Sequence, residues 1–328
     1  MPRFRSRSHA VPSALRAWLL LSLAAAGCYE TPQFSPASLV DRPRILAVVA
    51  EPPEVTPGAP STLSVLLAGA DNMSVKWRAC STFSSFGAGS QYGENTGDRG
   101  CGAAALELGE GRAVQLPAAV TAALFGNDEL VRAALGSQLP EGVLDQVRRS
   151  VGVAFSVEAD VLVDGKRLRA LKRVLVSENP EPARNPPPAA FNFGPRAVHQ
   201  LASGSFTCVP DDVQPLRVQP GQKVVLSPLY DGADTQADEP WLEKYNVLDA
   251  RGVLSERTEQ AFYSWFASKG SLEEGMTEAP ERDNRWTAPT ESGCVDLWLV
   301  LRDGHGGESA CGVPVNVGDV DNCALTTP

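Results

Sequence analysis

The chain has 328 residues, and its 29 basic and 39 acidic side chains give a formal net charge of −10 at pH 7. This acidic balance argues against nucleic acid as a partner and against electrostatic adhesion to anionic lipid. The length is sufficient for two domains with hydrophobic cores of their own.

The N-terminal segment has the pattern of an export signal. Four of its residues are arginines: Arg3, Arg5, Arg7 and Arg16. They accompany an apolar run at 17–26 that is too short to span a bilayer. The run closes on LAAAGC at 23–28, which resembles the bacterial lipoprotein signal. The resemblance implies cleavage before Cys28 and lipidation of its thiol, and Tyr29, in place of Asp, implies sorting to the outer membrane. An ordinary secretory signal with a chance cysteine is the alternative.

The remaining cysteines predict an oxidising compartment as well. With Cys28 set aside for lipid, they form an even set: Cys80, Cys101, Cys208, Cys294, Cys311 and Cys323. Three disulfides are therefore predicted, and the sequence favours one pairing, Cys80 with Cys101, across a polar, glycine-rich loop. Cys323 would staple the C-terminal tail onto the fold. A zinc site would need close cysteine pairs and nearby histidines, which the chain lacks, so no metal and no cofactor are predicted.

Short strands and turns begin after a tether rich in Pro, Ser and Thr. The opening of this region occurs twice, as PPEVTPGAPSTLSVLLAGAD around Pro53 and as QPLRVQPGQKVVLSPLYDGAD around Pro215. Each copy continues into a strand with a tryptophan, Trp77 or Trp265. Each also ends in a hairpin signal, one at Asp164-Gly165 and the other near 303–304. The sequence thus predicts one duplicated sandwich, with convergent turn chemistry as the alternative.

The fold class predicted is mainly β, with two immunoglobulin-like sandwiches. Apolar residues at helical spacing predict two or three short helices within the first sandwich, either as a partner-binding surface or as a local extension of the core. The predicted boundaries are a signal peptide at 1–27, a tether at 28–43, sandwich 1 at 44–178 with the helical insertion at about 116–150, a Pro-rich linker at 179–196, sandwich 2 at 197–318 and a tail at 319–328.

This arrangement resembles the immunoglobulin-like or PKD-type modules of Gram-negative lipoproteins, notably those of myxobacteria. The resemblance rests on LAAAGC, on the VTPG and VQPG openings, on Trp77 and Trp265, and on the hairpin LVLRDGHGG. It implies a β-sandwich fold for most of the mature chain, and it carries no chemistry with it.

No catalytic residue is predicted. Once His9 leaves with the signal, His199 and His305 are the histidines that remain, and no G-x-S-x-G elbow is present. His305 is interpreted as a solvated residue of a glycine-rich hairpin tip. Two acidic stretches are interpreted as solvated loops, with calcium binding as the alternative. Their members are Asp231, Asp234, Asp238 and Glu239, and then Asp319, Asp321 and Asn322.

One aromatic stretch is a possible ligand platform, formed by Phe262, Tyr263, Trp265 and Phe266. On a strand, Tyr263 and Trp265 share one face, while the two phenylalanines share the other. One face must be core, and the other could stack on sugar rings.

The sequence therefore predicts a non-enzymatic lipoprotein of the cell envelope that acts in adhesion, scaffolding or complex assembly. Its predicted partners are the membrane, through lipid on Cys28, and an envelope protein or glycan. A carbohydrate- or peptidoglycan-binding module is the second hypothesis, and an envelope hydrolase is a more distant third.

Overall fold

The computed structural model describes residues 36–69, 73–80, 105–135, 142–202, 204–212, 214–229, 240–248 and 253–325. Within them the chain is mainly β, and its strands form two sandwiches, which confirms the predicted fold class. From Ala37 onward the two sandwiches belong to one compact unit.

Sandwich 1 is built from eight of the described strands. They are β1 (Arg44–Glu51), β2 (Glu54–Val55), β3 (Ser61–Ala68), β4 (Met73–Ala79), β5 (Leu106–Glu110), β6 (Ala113–Leu116), β7 (Val153–Val163) and β8 (Lys166–Val176). One sheet has the order β1-β3-β6 and the other the order β2-β8-β7-β4-β5. Alternate residues of facing strands, such as Leu63, Trp77 and Val157, fill the core between the sheets.

Three helices form the predicted insertion between β6 and β7: α1 (Ala118–Gly126), α2 (Asp128–Leu135) and α3 (Val143–Ser150). Phe125, Val131 and Leu144 from these helices are buried in the sandwich 1 core. The Thr121 hydroxyl accepts a hydrogen bond from the Gly58 N–H at 3.2 Å, which ties α1 to the Pro-Gly turn. These contacts fit the interpretation of the insertion as an extension of the core.

Sandwich 2 contains the remaining strands. They are β9 (Ala190–Phe193), β10 (Arg196–Gln200), β11 (Cys208–Pro210), β12 (Leu216–Val218), β13 (Lys223–Pro228), β14 (Lys244–Leu248), β15 (Leu254–Thr258), β16 (Phe262–Ala267), β17 (Ser271–Leu272), β18 (Met276–Glu278), β19 (Asn284–Thr287), β20 (Gly293–Arg302) and β21 (Glu308–Val317). The facing sheets have the orders β11-β10-β9-β13-β19-β17 and β12-β21-β20-β16-β18, and β14 pairs with β15 as an inserted hairpin.

The predicted repeat is present in the topology. The order β2-β8-β7-β4 in sandwich 1 matches β12-β21-β20-β16 in sandwich 2, and β1-β3-β6 matches β9-β13-β19. In both copies a short strand pairs in parallel with the last strand, β2 with β8 and β12 with β21. The two predicted tryptophans occupy equivalent strands and are buried, with indole N–H groups bonded to the Gly111 carbonyl at 2.7 Å and to the Thr277 hydroxyl at 2.9 Å.

The predicted tether and the predicted linker both contain residues that belong to the fold. Strand β9 lies inside the predicted linker, because Phe191 and Phe193 point into the sandwich 2 core beyond the last proline of the run. The end of the predicted tether pairs with sandwich 2, since the Val40 N–H donates to the Ala267 carbonyl at 2.8 Å and the Ala267 N–H donates to the Ser38 carbonyl at 2.9 Å.

Two disulfides join described residues, both in sandwich 2. Cys208 of β11 bonds Cys311 of β21, with the Cα atoms 5.3 Å apart, and links the two sheets inside the core. Cys294 of β20 bonds Cys323 of the tail, which confirms that the tail is stapled to the fold. Cys80 is also disulfide-bonded, and its predicted partner Cys101 lies outside the described residues.

Candidate functional site

A second apolar cluster, outside both cores, joins the outer faces of the two sandwiches. We call it the interface cluster. Its buried members are Val40, Leu46, Ala47, Val49, Leu66, Ala68, Trp298, Val300 and Ala310, with Phe206, Phe266 and Leu325 partly buried against them. Sandwich 1 contributes β1 and β3, and sandwich 2 contributes β20 and β21. Because both faces of β1 are therefore buried, its sequence RILAVVAE is apolar almost throughout.

Trp298 is the largest side chain of the interface cluster, and it depends on a glycine. Gly312 is its cross-strand partner on β21. A Cβ at Gly312 would overlap the Trp298 indole ring, and Leu325 of the tail lies against the same glycine. The absence of a side chain at 312 thus creates the space in which the indole lies. The Cys294–Cys323 disulfide fixes the tail beside this space.

Hydrogen bonds between the sandwiches surround the interface cluster. The Arg302 guanidinium donates to the Leu46 carbonyl at 2.9 Å. The Lys172 ammonium, on β8 of sandwich 1, donates to the Gly306 carbonyl of sandwich 2 at 2.7 Å. The linker is part of this junction, because the Asn185 amide donates to the Ala50 carbonyl at 2.8 Å.

Buried Glu54 holds the beginning of the linker. One carboxylate oxygen accepts the Ser177 hydroxyl, and the other accepts the Ala183 N–H at 2.6 Å. These bonds connect β2 to the chain that leaves β8, so the linker runs along the surface of sandwich 1 before β9 begins.

A group of titratable side chains lies at the β20–β21 hairpin, where the sandwiches and the linker meet. We call Tyr245, Glu259, Asp303 and His305 the junction cluster. One oxygen of Asp303 accepts the backbone N–H groups of His305, Gly306 and Gly307 at 2.7, 2.8 and 3.0 Å. Its other oxygen is buried and has no hydrogen-bond partner among the described residues. Burial, and then the negative charge of Glu259, raise the pKa of Asp303 to about 6.

His305 is enclosed, and its interpretation as a solvated turn residue is wrong. Its side chain is 15% exposed, and its Nδ1 lies 3.6 Å from Glu259 Oε1. Its ring stacks on Tyr245, with centroids 3.9 Å apart. The Asp303 carboxylate folds the hairpin tip inward, and the inserted β14–β15 hairpin supplies the tyrosine. The DGHGG spacing is compatible with this turn, but the sequence gives no sign that Tyr245 covers it.

Fixed charges flank the junction cluster on the side of sandwich 1. Lys172 is buried, and its ammonium lies 3.6 Å from Glu308 Oε2, while Arg302 Nε lies 3.1 Å from Glu308 Oε1. Burial lowers the pKa of Lys172, and the nearby carboxylates of Glu308 and Asp303 oppose that shift.

The junction cluster opens onto a polar cleft of about 50 Å³, which is lined by Glu54, Glu243, Tyr245, Glu259 and His305 among others. A space of this volume is enough for a few ordered waters. In the part of the chain that the structure describes, no group of three His, Cys, Asp or Glu side chains is arranged to hold a metal ion. The side chains that the junction cluster presents to the cleft are thus titratable: Tyr245, Glu259 and His305.

The aromatic stretch does not form a common exposed surface. Tyr263 and Trp265 are fully buried in the sandwich 2 core. Phe266 packs against the interface cluster. Phe262 is half-buried beside Gly304 of the hairpin tip, so the two phenylalanines of the set are partly buried and contact different elements.

The remaining predictions concern Cys28, the two acidic stretches and His199. Cys28 and the acidic stretch at 231–239 lie outside the described residues. Asp321 of the second acidic stretch forms an ion pair with Arg217. His199 is half-exposed on β10, with its Nε2 3.2 Å from Asp211 Oδ1. Among the described helices, none combines the length and the apolar character that crossing a bilayer requires.

The fold defines a tandem of immunoglobulin-like sandwiches. Comparison with protein-family models and with curated protein sequences finds no match. Among solved structures, the chain is similar to murine CEACAM1b, with 8% identity, coverage of 84% of this chain and 100% of that chain, and a TM-score of 0.23.

Two bacterial structures are also similar. SGBP-B of a Bacteroides ovatus mixed-linkage glucan utilization locus, solved with a mixed-linkage heptasaccharide, is 15% identical over 85% of this chain and 48% of its own, with a TM-score of 0.19. A nucleoside hydrolase-related hypothetical protein from Saccharophagus degradans is 18% identical over 32% of this chain and 22% of its own, with a TM-score of 0.20. The chain thus spans about half of the first protein and under a quarter of the second. Likenesses this weak carry no functional argument.

Proposed function

We propose that the protein is a non-enzymatic, lipid-anchored module of the bacterial cell envelope, in which two fused sandwiches present one rigid surface for adhesion, scaffolding or complex assembly. The observation that carries this proposal is the interface cluster. Two independent domains on a linker would leave the outer faces of β1, β3, β20 and β21 in water. Here those faces are apolar and buried against each other.

Rigidity suits a protein that positions partners. The contacts that join the sandwiches include buried apolar side chains, the Lys172–Gly306 and Arg302–Leu46 hydrogen bonds, and a linker bonded to both copies. Inter-domain motion is the usual expectation for tandem domains unless the interface is large and hydrophobic. This junction meets the hydrophobic condition, which supports a rigid tandem.

The anchor in this proposal is Cys28. The fold begins at the pairing of 38–40 with β16. From Cys28 to Pro36 an extended chain reaches at most about 30 Å, at roughly 3.3–3.6 Å per residue. The proposed lipid therefore keeps the sandwiches close to the membrane to which it is attached.

A non-enzymatic role is supported by the enclosure of the junction cluster. The side chains of Glu259 and Asp303 are almost fully buried, and the cleft that Glu259 lines has a volume of about 50 Å³. A polymer could not reach these carboxylates without displacing Tyr245 and His305.

The test is crosslinking in intact cells, with purification through a C-terminal tag and mass identification of the attached material. Cys28→Ser is the matched control, because it removes the proposed lipidation site and leaves the folded unit unchanged. We expect the wild-type chain to fractionate with the outer membrane and to retain a discrete protein partner. The variant should be absent from the membrane fraction. Recovery of glycan alone would support the carbohydrate-binding hypothesis instead. Unchanged membrane fractionation of the variant would refute the anchor.

A further inference from the structure

We infer that Glu259, Asp303 and His305 form a latch that is closed by one proton and that ties the β20–β21 hairpin tip and the β14–β15 hairpin to the sandwich junction. With the proton bound, the tip is held closed. When the proton is lost, repulsion between two buried carboxylates loosens it. This inference is independent of the proposed function, because it rests on the geometry of the junction cluster.

The first argument is the lack of hydrogen-bond partners. Glu259 Oε1 and Asp303 Oδ2 are both buried without a hydrogen-bond partner among the described residues. Glu259 is anchored by its other oxygen, which accepts the Glu243 N–H at 2.9 Å. Two buried ionised carboxylates in this state are costly. A proton bound by Asp303 removes the charge of one of them, while the other, Glu259, keeps its Oε1 3.6 Å from His305 Nδ1.

The second argument is the balance of charge around the cluster. Strand β8 contributes Lys172, β20 contributes Arg302 and β21 contributes Glu308. Three carboxylates (Glu259, Asp303 and Glu308) thus face two basic side chains, Lys172 and Arg302, so the carboxylates outnumber the bases by one even when Lys172 is charged. One bound proton completes the balance.

Arg173 of β8 is close enough to Tyr245 to interact with it, and in the described part of the chain it forms no ion pair with Glu259 or Asp303. Glu54 lines the same cleft, with its carboxylate bonded to Ser177 and Ala183. Two further charged side chains nearby form ion pairs outside the cluster. Glu243, which precedes β14, forms an ion pair with Arg184 of the linker at 3.2 Å. Lys244 forms one with Glu256 across the β14–β15 hairpin at 2.8 Å. Tyr245 faces His305 as a ring rather than as a charge. None of these groups supplies the missing positive charge to Glu259 or Asp303.

The third argument is that the hairpin tip contacts several elements at once. The Gly306 carbonyl accepts the Lys172 ammonium of sandwich 1, and the Glu308 N–H donates to the Asn185 side chain of the linker at 2.9 Å. Gly307 lies against Pro186 and the Arg184 carbonyl. Asp303 organises this tip through three N–H bonds. A change in its ionisation therefore affects the contacts of the tip with sandwich 1, with the linker and with the β14–β15 hairpin together.

The pH range in which the latch changes state follows from the pKa of Asp303, which burial and the charge of Glu259 raise to about 6. The latch is accordingly closed at pH 5 and loosened at pH 8.

The experiment uses the chain from Tyr29 onward, which retains the whole compact unit beginning at Ala37. Its histidines are His199 and His305, so the ring signals of the two can be followed by NMR from pH 5 to 8, with His199→Gln for assignment. Half-exposed His199, beside exposed Asp211, is the internal control. Hydrogen–deuterium exchange, corrected for intrinsic rates, measures the opening of 303–307 and 244–258 over the same range.

We expect protection of both segments to fall by about tenfold between pH 5 and pH 8 in the wild type, since opening is linked to loss of a proton. Asp303→Asn retains an oxygen for the three N–H bonds and carries no charge, so its protection should be independent of pH. Glu259→Gln should weaken the pH dependence of protection at 303–307, because it removes the negative charge that faces Asp303. Equal protection at pH 5 and pH 8 in the wild type would overturn the latch. A pH dependence in Asp303→Asn identical to that of the wild type would do the same, and this variant decides the question even if Glu259→Gln does not fold.

Discussion

Two neighbouring leucines on β3 belong to different apolar clusters, one to the interface cluster and one to the sandwich 1 core. Leu66 and Leu67 are both almost fully buried, at 0% and 2% exposure. Because successive side chains of a strand point to opposite faces, Leu66 lies in the interface cluster and Leu67 in the core. Leu66→Ala and Leu67→Ala therefore remove the same atoms from two different places, and each is the control for the other.

The expected loss of unfolding free energy is similar for both variants. A buried Leu→Ala change costs about 2–5 kcal/mol, of which roughly 2 kcal/mol is lost transfer free energy and the rest depends on the cavity left behind. The two variants should differ in cooperativity. Leu67→Ala weakens sandwich 1 itself. Leu66→Ala removes the contact through which each sandwich stabilises the other.

The assay is denaturant unfolding followed by tryptophan fluorescence, together with calorimetry. Wild type and Leu67→Ala should unfold in a single transition, with a lower midpoint in the variant. Leu66→Ala should broaden or split the transition, with a lower apparent m value, because uncoupled sandwiches unfold separately. If Leu66→Ala unfolds in one transition with the m value of the wild type, or costs less than about 1 kcal/mol, the sandwiches are not coupled through this cluster and the argument for rigidity fails.

Four further outcomes are expected. Gly312→Ala should cost about 1–3 kcal/mol by overpacking and should change the fluorescence of Trp298, because the new methyl group displaces its indole; an unchanged spectrum and stability would contradict this packing. Glu54→Gln should cost about 1–3 kcal/mol and increase amide exchange at Ala183, since an amide cannot accept hydrogen bonds at both of its polar atoms; retained protection would contradict the role of Glu54. Because the pKa of Asp303 is raised to about 6 in the fold, its ionisation lowers the free energy of unfolding, by about 3 kcal/mol well above pH 6. This loss declines as the pH falls through 6. Urea unfolding of wild type and Asp303→Asn should therefore show a smaller difference between the two proteins at pH 5 than at pH 8. Cys323→Ser opens a loop of 29 residues and should cost about 2–4 kcal/mol; an unchanged melting temperature would show that the tail adds no stability.

Local patterns predicted most of the fold. The Pro-Gly turns, the Asp164-Gly165 hairpin and the alternation around Trp77 and Trp265 depend on neighbours in sequence, and the structure contains all of them. The helical insertion was likewise readable from its 3.6-residue period.

The site was less predictable, because long-range contacts build it. The sequence RILAVVAE is apolar without alternation, which is a sign of burial on both faces. It does not indicate that the second face packs on β20, the strand of Trp298, some 250 positions later. For the same reason the sequence did not indicate that Phe266 of the predicted platform meets residues of the other sandwich. His305 looked solvated until the inserted hairpin placed Tyr245 over it.

The pairing of 38–40 with β16 has a mechanical consequence. Under the proposed anchoring, any pull between the membrane and a bound partner enters the molecule through the segment that precedes β1. Because this segment lies beside Ala267 in a parallel bridge, the load is applied to sandwich 2 before it reaches the first strand of sandwich 1. Tension that enters at the N-terminal side is therefore shared by the two sandwiches, and sandwich 1 does not bear it alone.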